Sequence, residues 1–431
     1  MAHSCHVSDG KQSDNCYLFV YAVSPEGELM RFDHPAVPVA IAAMLIDSIG
    51  FGIVLPVLPA LIVELGRVDL ADATRIGGYL LAIYAVTHFF AGPVIGSLSD
   101  RYGRRRVLLI SLCCFGIDYA FMAFAPSLGW LFAGRAIAGI AGATYGPANA
   151  VIADVTPPEQ RGRMFGLLGA AFGGGFILGP AIGGLLGDLG PRAPFVAAAA
   201  LAFANAALIL AVMPETLVPE NRRPFDWRRA NPVGAFVPLF HAGGAAALLI
   251  GALLWQIAHM VYPSTWTFYV SIALEWDSKA IGWSLAASGL SMMLAQVFLI
   301  GPTIKRFGED RTVLIGLTAG VIVFALYAFA QQGWQLYALI AAGAVTGLVG
   351  PSINAILSTR VDSANQGALQ GGLASLSSVA AIVGPLAMTQ ALAFGAERGH
   401  AGGAFLLASL LCAVTFAVFL LGVVRRRAVL A

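Results

Sequence analysis

Two aspartates stand where an apolar chain has least reason to keep them. Asp47 lies in "MLIDSIGFGIVLPVLPAL" and Asp118 in "CCFGIDYAFMAF", each well inside a hydrophobic stretch. A carboxylate buried in hydrocarbon costs on the order of 3 kcal/mol. Proton exchange is one chemistry that justifies the cost, because a carboxyl can carry a proton while its surroundings are dry and release it when water arrives. Arg135, in "GWLFAGRAIAGIAGA", adds a fixed cation with which an arriving proton would compete for an ionised aspartate. The plainer alternative is a carboxylate neutralised by helix packing or by Arg135 itself, and a guanidinium satisfied by backbone carbonyls.

Other polar residues are candidates for touching a cargo. Tyr84 and His88 share a helix face at i, i+4. His259, Tyr262 and Trp266 make a polar-aromatic stripe, and Asn149, Gln296 and Asn354 are isolated amides in apolar runs. Cavities for amphipathic molecules are mostly apolar with a few orienting polar groups, although a single such residue is more often packing. The five cysteines (Cys5, Cys16, Cys113, Cys114, Cys412) have no metal-ligand or redox spacing, so neither a metal nor a cofactor is expected. No phosphate-binding glycine loop followed by Lys-Ser/Thr is present, and no Ser-His-acid constellation sits at one depth, so an enzyme is not expected.

The elements that must hold these residues follow from composition. Only 11% of the 431 residues are charged and 58% are apolar, and the net charge is +2. With so little charge the chain cannot cover a soluble surface, so a lipid bilayer is part of its solvent and nucleic acid is not a partner. Stretches long enough to span roughly 30 Å of hydrocarbon fall near 39–63, 75–98, 107–125, 128–152, 163–187, 193–213, 243–272, 280–304, 312–330, 334–358, 367–393 and 402–424. At 1.5 Å per residue, Asp47 is roughly 12 Å deep in the first and Asp118 roughly 16 Å deep in the third, a shared level. The expected organisation is a polar extension 1–38, a six-helix bundle 39–213, a cytoplasmic linker 214–242 and a second bundle 243–431. The extension's apolar run 17–23 is too short for a signal-peptide core, and Met30 offers a second start.

Charge sets orientation. Placing both termini in the cytoplasm puts 19 of the 25 Lys and Arg on that side and five on the other. The densest cluster is "GSLSDRYGRRRVLLISL" at 96–112, with Asp100, Arg101, Arg104, Arg105 and Arg106 in one turn. The halves also repeat. A shift of 205 lays Gly96, Arg101, Gly103 and Arg106 on Gly301, Arg306, Gly308 and Arg311, Asn149 on Asn354, and Gly179-Pro180 on Gly384-Pro385. Two such bundles face each other across a central cavity in rocking transporters. The buried charges are not repeated: Asp47, Asp118 and Arg135 map to Ala252, Val323 and Ile340. In "GAAFGGGFILGPAIGGLLG", Gly175, Gly179 and Gly183 form a smooth face for close helix approach, with Pro180 bending the helix; this face is expected at the interface between halves.

"GSLSDRYGRR" resembles the loop between the second and third helices of the major facilitator superfamily, "RAIAGIAGA" its fourth-helix Arg motif, and "GFILGPAIGG" the fifth-helix motif of its antiporters. The likeness extends over nearly all of 39–424. It is closest to the tetracycline-efflux branch of twelve-helix drug/proton antiporters, through "IDSIGFGIVLPVLPAL", "IADVTPPEQRGRMFGL" and "GPTIKRFGE". The resemblance implies an inner-membrane, proton-coupled drug exporter working as a monomer. It implies proton and substrate handling by Asp47 and Asp118, and a cytoplasmic latch of Asp100, Arg101 and Arg104 with Asp154, given room by Gly96 and Gly103. The chain departs from that branch where Met292 stands for a histidine, Gly320 for an aspartate and His88 for a glutamine, which moves the expected cargo away from a metal-tetracycline complex. A metabolite exporter, or a non-transporting receptor or scaffold, would share the fold; the intact turn disfavours the scaffold.

Overall fold

The computed structural model describes residues 22–23, 29–30, 34–142, 144–225, 246–359 and 366–430. Most of the N-terminal extension, and 226–242 of the expected linker, lie outside the described residues. Apart from a two-residue antiparallel ladder, β1 (Ala22–Val23) with β2 (Leu29–Met30), the architecture is helical.

Six spans form the first bundle. They are α1 (Ala36–Val54) continued by α2 (Leu58–Gly66), α3 (Leu70–Tyr102), α4 (Arg104–Phe124), α5 (Leu128–Ala141) with α6 (Tyr145–Val155), α7 (Pro158–Gly187) and α8 (Ala193–Val212). The second bundle holds α9 (Ala246–His259) with α10 (Val261–Leu274), α11 (Ser278–Phe298) with α12 (Ile300–Phe307), α13 (Glu309–Ala328), α14 (Gly333–Gly343) with α15 (Val349–Ser358), α16 (Gln366–Ala396) and α17 (Gly403–Leu430). Among the described residues, eleven helices are long and apolar enough to cross a membrane. The seventh expected span is the exception, being two 14-residue helices broken at Met260. Pro263 accounts for the break, because its ring clashes with the carbonyl four residues back and has no N–H to donate. Large side chains left uncovered on the outside, such as Phe124, Leu210, Phe298 and Leu421, suit a hydrocarbon solvent.

The repeat is visible in backbone conformation. Gly103 and Gly308 both break a helix at positive φ, +100° and +77°, a conformation open to glycine and strained for other residues. At the opposite end the offset becomes 208. Arg67 and Glu275 are both left-handed C-caps, and the Asp69 and Asp277 side chains each accept the backbone N–H three residues on, at 2.8 Å. The change from 208 to 205 is a deletion: 70–102 is continuous helix, while 278–307 is three residues shorter and interrupted at Leu299.

Among the described residues, the bundles meet toward one end. There, Arg75 pairs with Glu397 at 2.6 Å and the Gln390 amide donates to the Tyr79 hydroxyl at 3.1 Å. Gly184 lies so close to α11 that an added Cβ would stand 2.6 Å from the Ser278 carbonyl. Toward the 96–106 turn, Gly92, Gly96, Gly166, Gly169, Gly173 and Gly371 would meet nothing within 4 Å. The cleft between the bundles is therefore open on the side of the charged turn.

Candidate functional site

The buried charges of the first bundle come together. Asp118 of α4 is 0% exposed and Arg135 of α5 is 8% exposed, and the two form an ion pair. Apart from that pairing, neither Asp118 oxygen has a hydrogen-bond partner among the described residues, nor do Arg135 Nε and Nη2. Helices α4 and α5 are antiparallel across the short turn at 125–127, so residues similarly far from it in sequence share a depth. Gly134 makes room for the carboxylate, since a Cβ there would sit 2.6 Å from Asp118 Oδ1. The Arg135 guanidinium lies 5.7 Å from the centre of the Tyr84 ring, a cation–π arrangement. Tyr84 in turn stacks on His88, with centroids 5.7 Å apart and planes 5° from parallel. The His88 Nδ1 has no hydrogen-bond partner among the described residues.

Asp47 is held differently. The Thr144 hydroxyl donates to Asp47 Oδ2 at 2.8 Å. Thr144 can reach because the fourth span is not one helix: α5 stops at Ala141 and α6 starts at Tyr145, with Gly142 before the gap and Pro147 after it weakening continuity. Ser48, the next residue along α1, donates to the Phe172 carbonyl of α7 at 2.6 Å. Tyr84 and Tyr119 lie within electrostatic reach of Asp47. Reading the sequence singled out neither Thr144 nor Tyr119; the broken "GATYGPAN" segment beside the Arg motif was the available signal for Thr144.

The charged turn forms a second cluster. The Arg104 side chain donates to Asp154 at 3.1 Å, Asp100 at 2.5 Å and Ser99 at 3.1 Å. Arg101 takes no part and lies over the adjacent Tyr102 ring at 5.0 Å. Gly96, expected to permit close approach, faces open space, whereas Gly103 makes the turn. Glu215, just past α8, is the missed member. Its Oε1 accepts the backbone N–H of Arg104 at 2.8 Å and those of Thr216 and Leu217 at 3.1 Å, and a side chain at Gly103 would collide with it.

The glycine face needs correcting. Gly175, Gly179 and Gly183 pack on the α1 backbone at Leu45, Ile49, Gly52 and Ile53, inside the first bundle. The seam between bundles uses the neighbouring face of the same helix: the Pro180 carbonyl, Gly184 and Gly187 against Ser278 and Gly282 of α11. A helix with glycine on several faces does not reveal from sequence which one meets which neighbour.

The remaining candidates are scattered. Asn149 donates to the Tyr145 carbonyl at 2.9 Å, and Asn354 accepts from Gln370 at 3.1 Å near the open end. Gln296 is exposed on α11. His259 sits between Trp255 and Tyr262, with ring centroids at 5.1 and 5.6 Å, whereas Trp266 is core, 2% exposed and bonded to Ser284. Met292 approaches Gly347, and a Cβ at Gly320 would stand 3.1 Å from Cys412 Sγ inside the second bundle.

Two six-helix membrane bundles joined at one end of an open cleft, with ionisable groups buried in one of them, define a secondary transporter. The family model described as Major Facilitator Superfamily matches residues 40–270 and 248–430. The chain belongs to the major facilitator superfamily. It is 42% identical over 362 residues to a tetracycline resistance protein, class C, of Escherichia coli, covering 84% of this chain and 91% of that one. It is 39% identical over 363 residues to the class G protein of Vibrio anguillarum, covering 81% and 89%. The human organic anion transporter MFSD10 (TETRAN) has a similar fold, with a TM-score of 0.65 at 24% identity over 89% of this chain and 99% of the other.

Proposed function

We propose that this chain is a proton-coupled exporter of amphipathic drugs of the tetracycline-resistance type. It works by alternating access as a monomer in a bacterial inner membrane, with both termini cytoplasmic. The observation that carries the reading is the 42% and 39% identity, over more than four-fifths of the chain, to proteins named for tetracycline resistance. The half-buried Asp47 and the buried Asp118–Arg135 pair support proton coupling, since the second bundle offers no equivalent acid in its spans. With the charged turn on the cytoplasmic side, as the Lys and Arg count favours, the open cleft faces the cytoplasm and is ready to receive cargo. Rocking then closes that end and opens the Arg75–Glu397 end, where protons enter and cargo leaves. The bundles are taken as 39–213 and 243–431, with 214–242 between them.

The cargo range is drawn away from a chelated metal. Gly320 packs against Cys412 within its own bundle, and Met292 brings a thioether where an imidazole would bind a cation. A drug panel including tetracycline, in an efflux-deficient bacterium carrying wild type or Asp118→Asn, tests the reading. Resistance with wild type alone supports it, and no resistance to any compound with wild type refutes it.

A further inference from the structure

Four aromatic side chains of the first bundle form a continuous strip across three helices. Phe51 of α1 stacks on Phe176 of α7 with ring centroids 6.1 Å apart, and Phe176 stacks on Phe172 at 6.2 Å. Tyr145, the first residue of α6, meets Phe172 edge-on at 6.1 Å, with the planes 74° apart. The rotation of α7 puts this strip on the wall of the cleft. Gly175, Gly179 and Gly183 point at α1, and Pro180, Gly184 and Gly187 point at α11 of the other bundle. At roughly 100° per residue, those two directions are about 110° apart, and Phe172 and Phe176 fall between them. The exposed Leu178, Ile182 and Leu185 fall outside that angle and face lipid. Gly169 and Gly173, which point toward α11, would meet nothing within 4 Å, so the bundles have already separated at this level.

Packing within the bundle does not account for the strip, because its outer rings are left bare. Phe172 is 41% exposed and Tyr145 is 51% exposed, and Gly173 and Gly146 beside them carry no side chain to cover them. A row of near-parallel rings ending in one edge-on ring leaves the place that one more flat ring would fill. Both ends of the strip come back to one carboxylate. Phe51 is one turn beyond Asp47 on α1, and Thr144, the residue before Tyr145, donates to Asp47 at 2.8 Å. No Lys or Arg lies on α1, on α6 or along 164–187 of α7, so the wall offers an acid and aromatic faces, both of which attract a cation. We propose that Phe51, Phe176, Phe172 and Tyr145 form a stacking site for the flat fused-ring part of a cationic aromatic cargo. The rings lie on Phe172 with Tyr145 as the end stop, and the positive charge lies toward Asp47. An organic cation is held there by rings and a carboxylate, with no chelated metal. This deepens the drug export proposed above and rests on it.

The test is equilibrium binding of proflavine, a flat three-ring cation, to the full chain in phosphatidylcholine nanodiscs, read by fluorescence anisotropy with empty discs subtracted. Phe172→Leu and Tyr145→Leu keep an apolar side chain and remove the ring, whereas Phe172→Tyr and Tyr145→Phe keep the ring. Each leucine variant is expected to weaken binding roughly fivefold or more, and each aromatic variant to stay within about twofold of wild type. Asp47→Asn is expected to weaken binding as well, because it removes the acid that faces the cation. The two ring positions are on different helices, so if one leucine variant fails to fold the other still decides. Four results would overturn the proposal: no proflavine binding to wild type, wild-type affinity in the folded leucine variants, an equal loss in the aromatic variants, or wild-type affinity in Asp47→Asn. Binding is read without transport. A chain that binds proflavine as described but exports no compound of the drug panel therefore refutes the export reading and leaves the site standing.

Discussion

Removing one partner of the Asp118–Arg135 pair leaves the other charge buried, and the geometry says which removal is worse. After Arg135→Met, Asp118 has no other hydrogen bond among the described residues and is 0% exposed. Breaking a buried pair in this way costs about 3–5 kcal/mol. After Asp118→Asn, the guanidinium keeps the Tyr84 ring at 5.7 Å, a contact worth up to about 2 kcal/mol when desolvated, so the loss is smaller. The double variant Arg135→Met/Asp118→Asn has no unpaired charge and is expected within about 2 kcal/mol of wild type, more stable than Arg135→Met alone. The assay is unfolding of the purified full chain in mixed micelles over a titration of denaturing detergent, read by tryptophan fluorescence. If the double variant is less stable than Arg135→Met by the full Asp118→Asn increment, to within about 0.5 kcal/mol, the two side chains are independent and the pairing is wrong.

Thr144→Val removes the hydroxyl that donates to Asp47 at 2.8 Å. Hydrogen bonds to charged groups contribute about 1.5–3 kcal/mol, so gradient-driven transport should fall roughly tenfold or more, with Thr144→Ser retaining most of it. Glu215→Ala frees three backbone N–H groups and should lower stability by about 1–3 kcal/mol in the same unfolding assay; a value below about 0.5 kcal/mol, the noise of such comparisons, would leave Glu215 a bystander. Gly184→Val would press on the Ser278 carbonyl across the seam. It should lengthen the spin-label distance between Val68 and His400 at the closed end, and an unchanged distance would show the seam is not what holds that end shut. Gly134→Ala should reproduce part of the transport loss of Asp118→Asn, because its methyl would lie 2.6 Å from Asp118 Oδ1.

Several of these contacts were within reach of the sequence and others were not. The Asp118–Arg135 meeting is legible, because a short turn between two membrane helices forces antiparallel neighbours and equal depths. The broken seventh span was signalled by Pro263, and the break before α6 by "GATYGPAN", yet hydropathy alone runs straight through both. The repeat at the 67–69 and 275–277 turns escaped a single 205-residue offset because three residues are missing from the second copy of the following helix. Arg104 with Asp154 followed from motif resemblance, while Glu215 is 111 residues from Arg104 and carries no pattern that ties it there.

By itself the sequence determined the solvent, the spans, the two-fold repeat and the asymmetric placement of buried charge. Hydrocarbon accepts only helices with satisfied backbones and few charges, so composition along the chain is nearly a drawing of the fold in one dimension. Tertiary structure alone decided which glycine face of α7 meets α1 and which meets α11, which end of the cleft is open, and that Asp118 is matched by a cation while Asp47 has a hydroxyl. Those choices depend on rotation of each helix about its axis and on contacts between residues some hundred positions apart, for which an apolar segment with small residues on every side carries no one-dimensional signal.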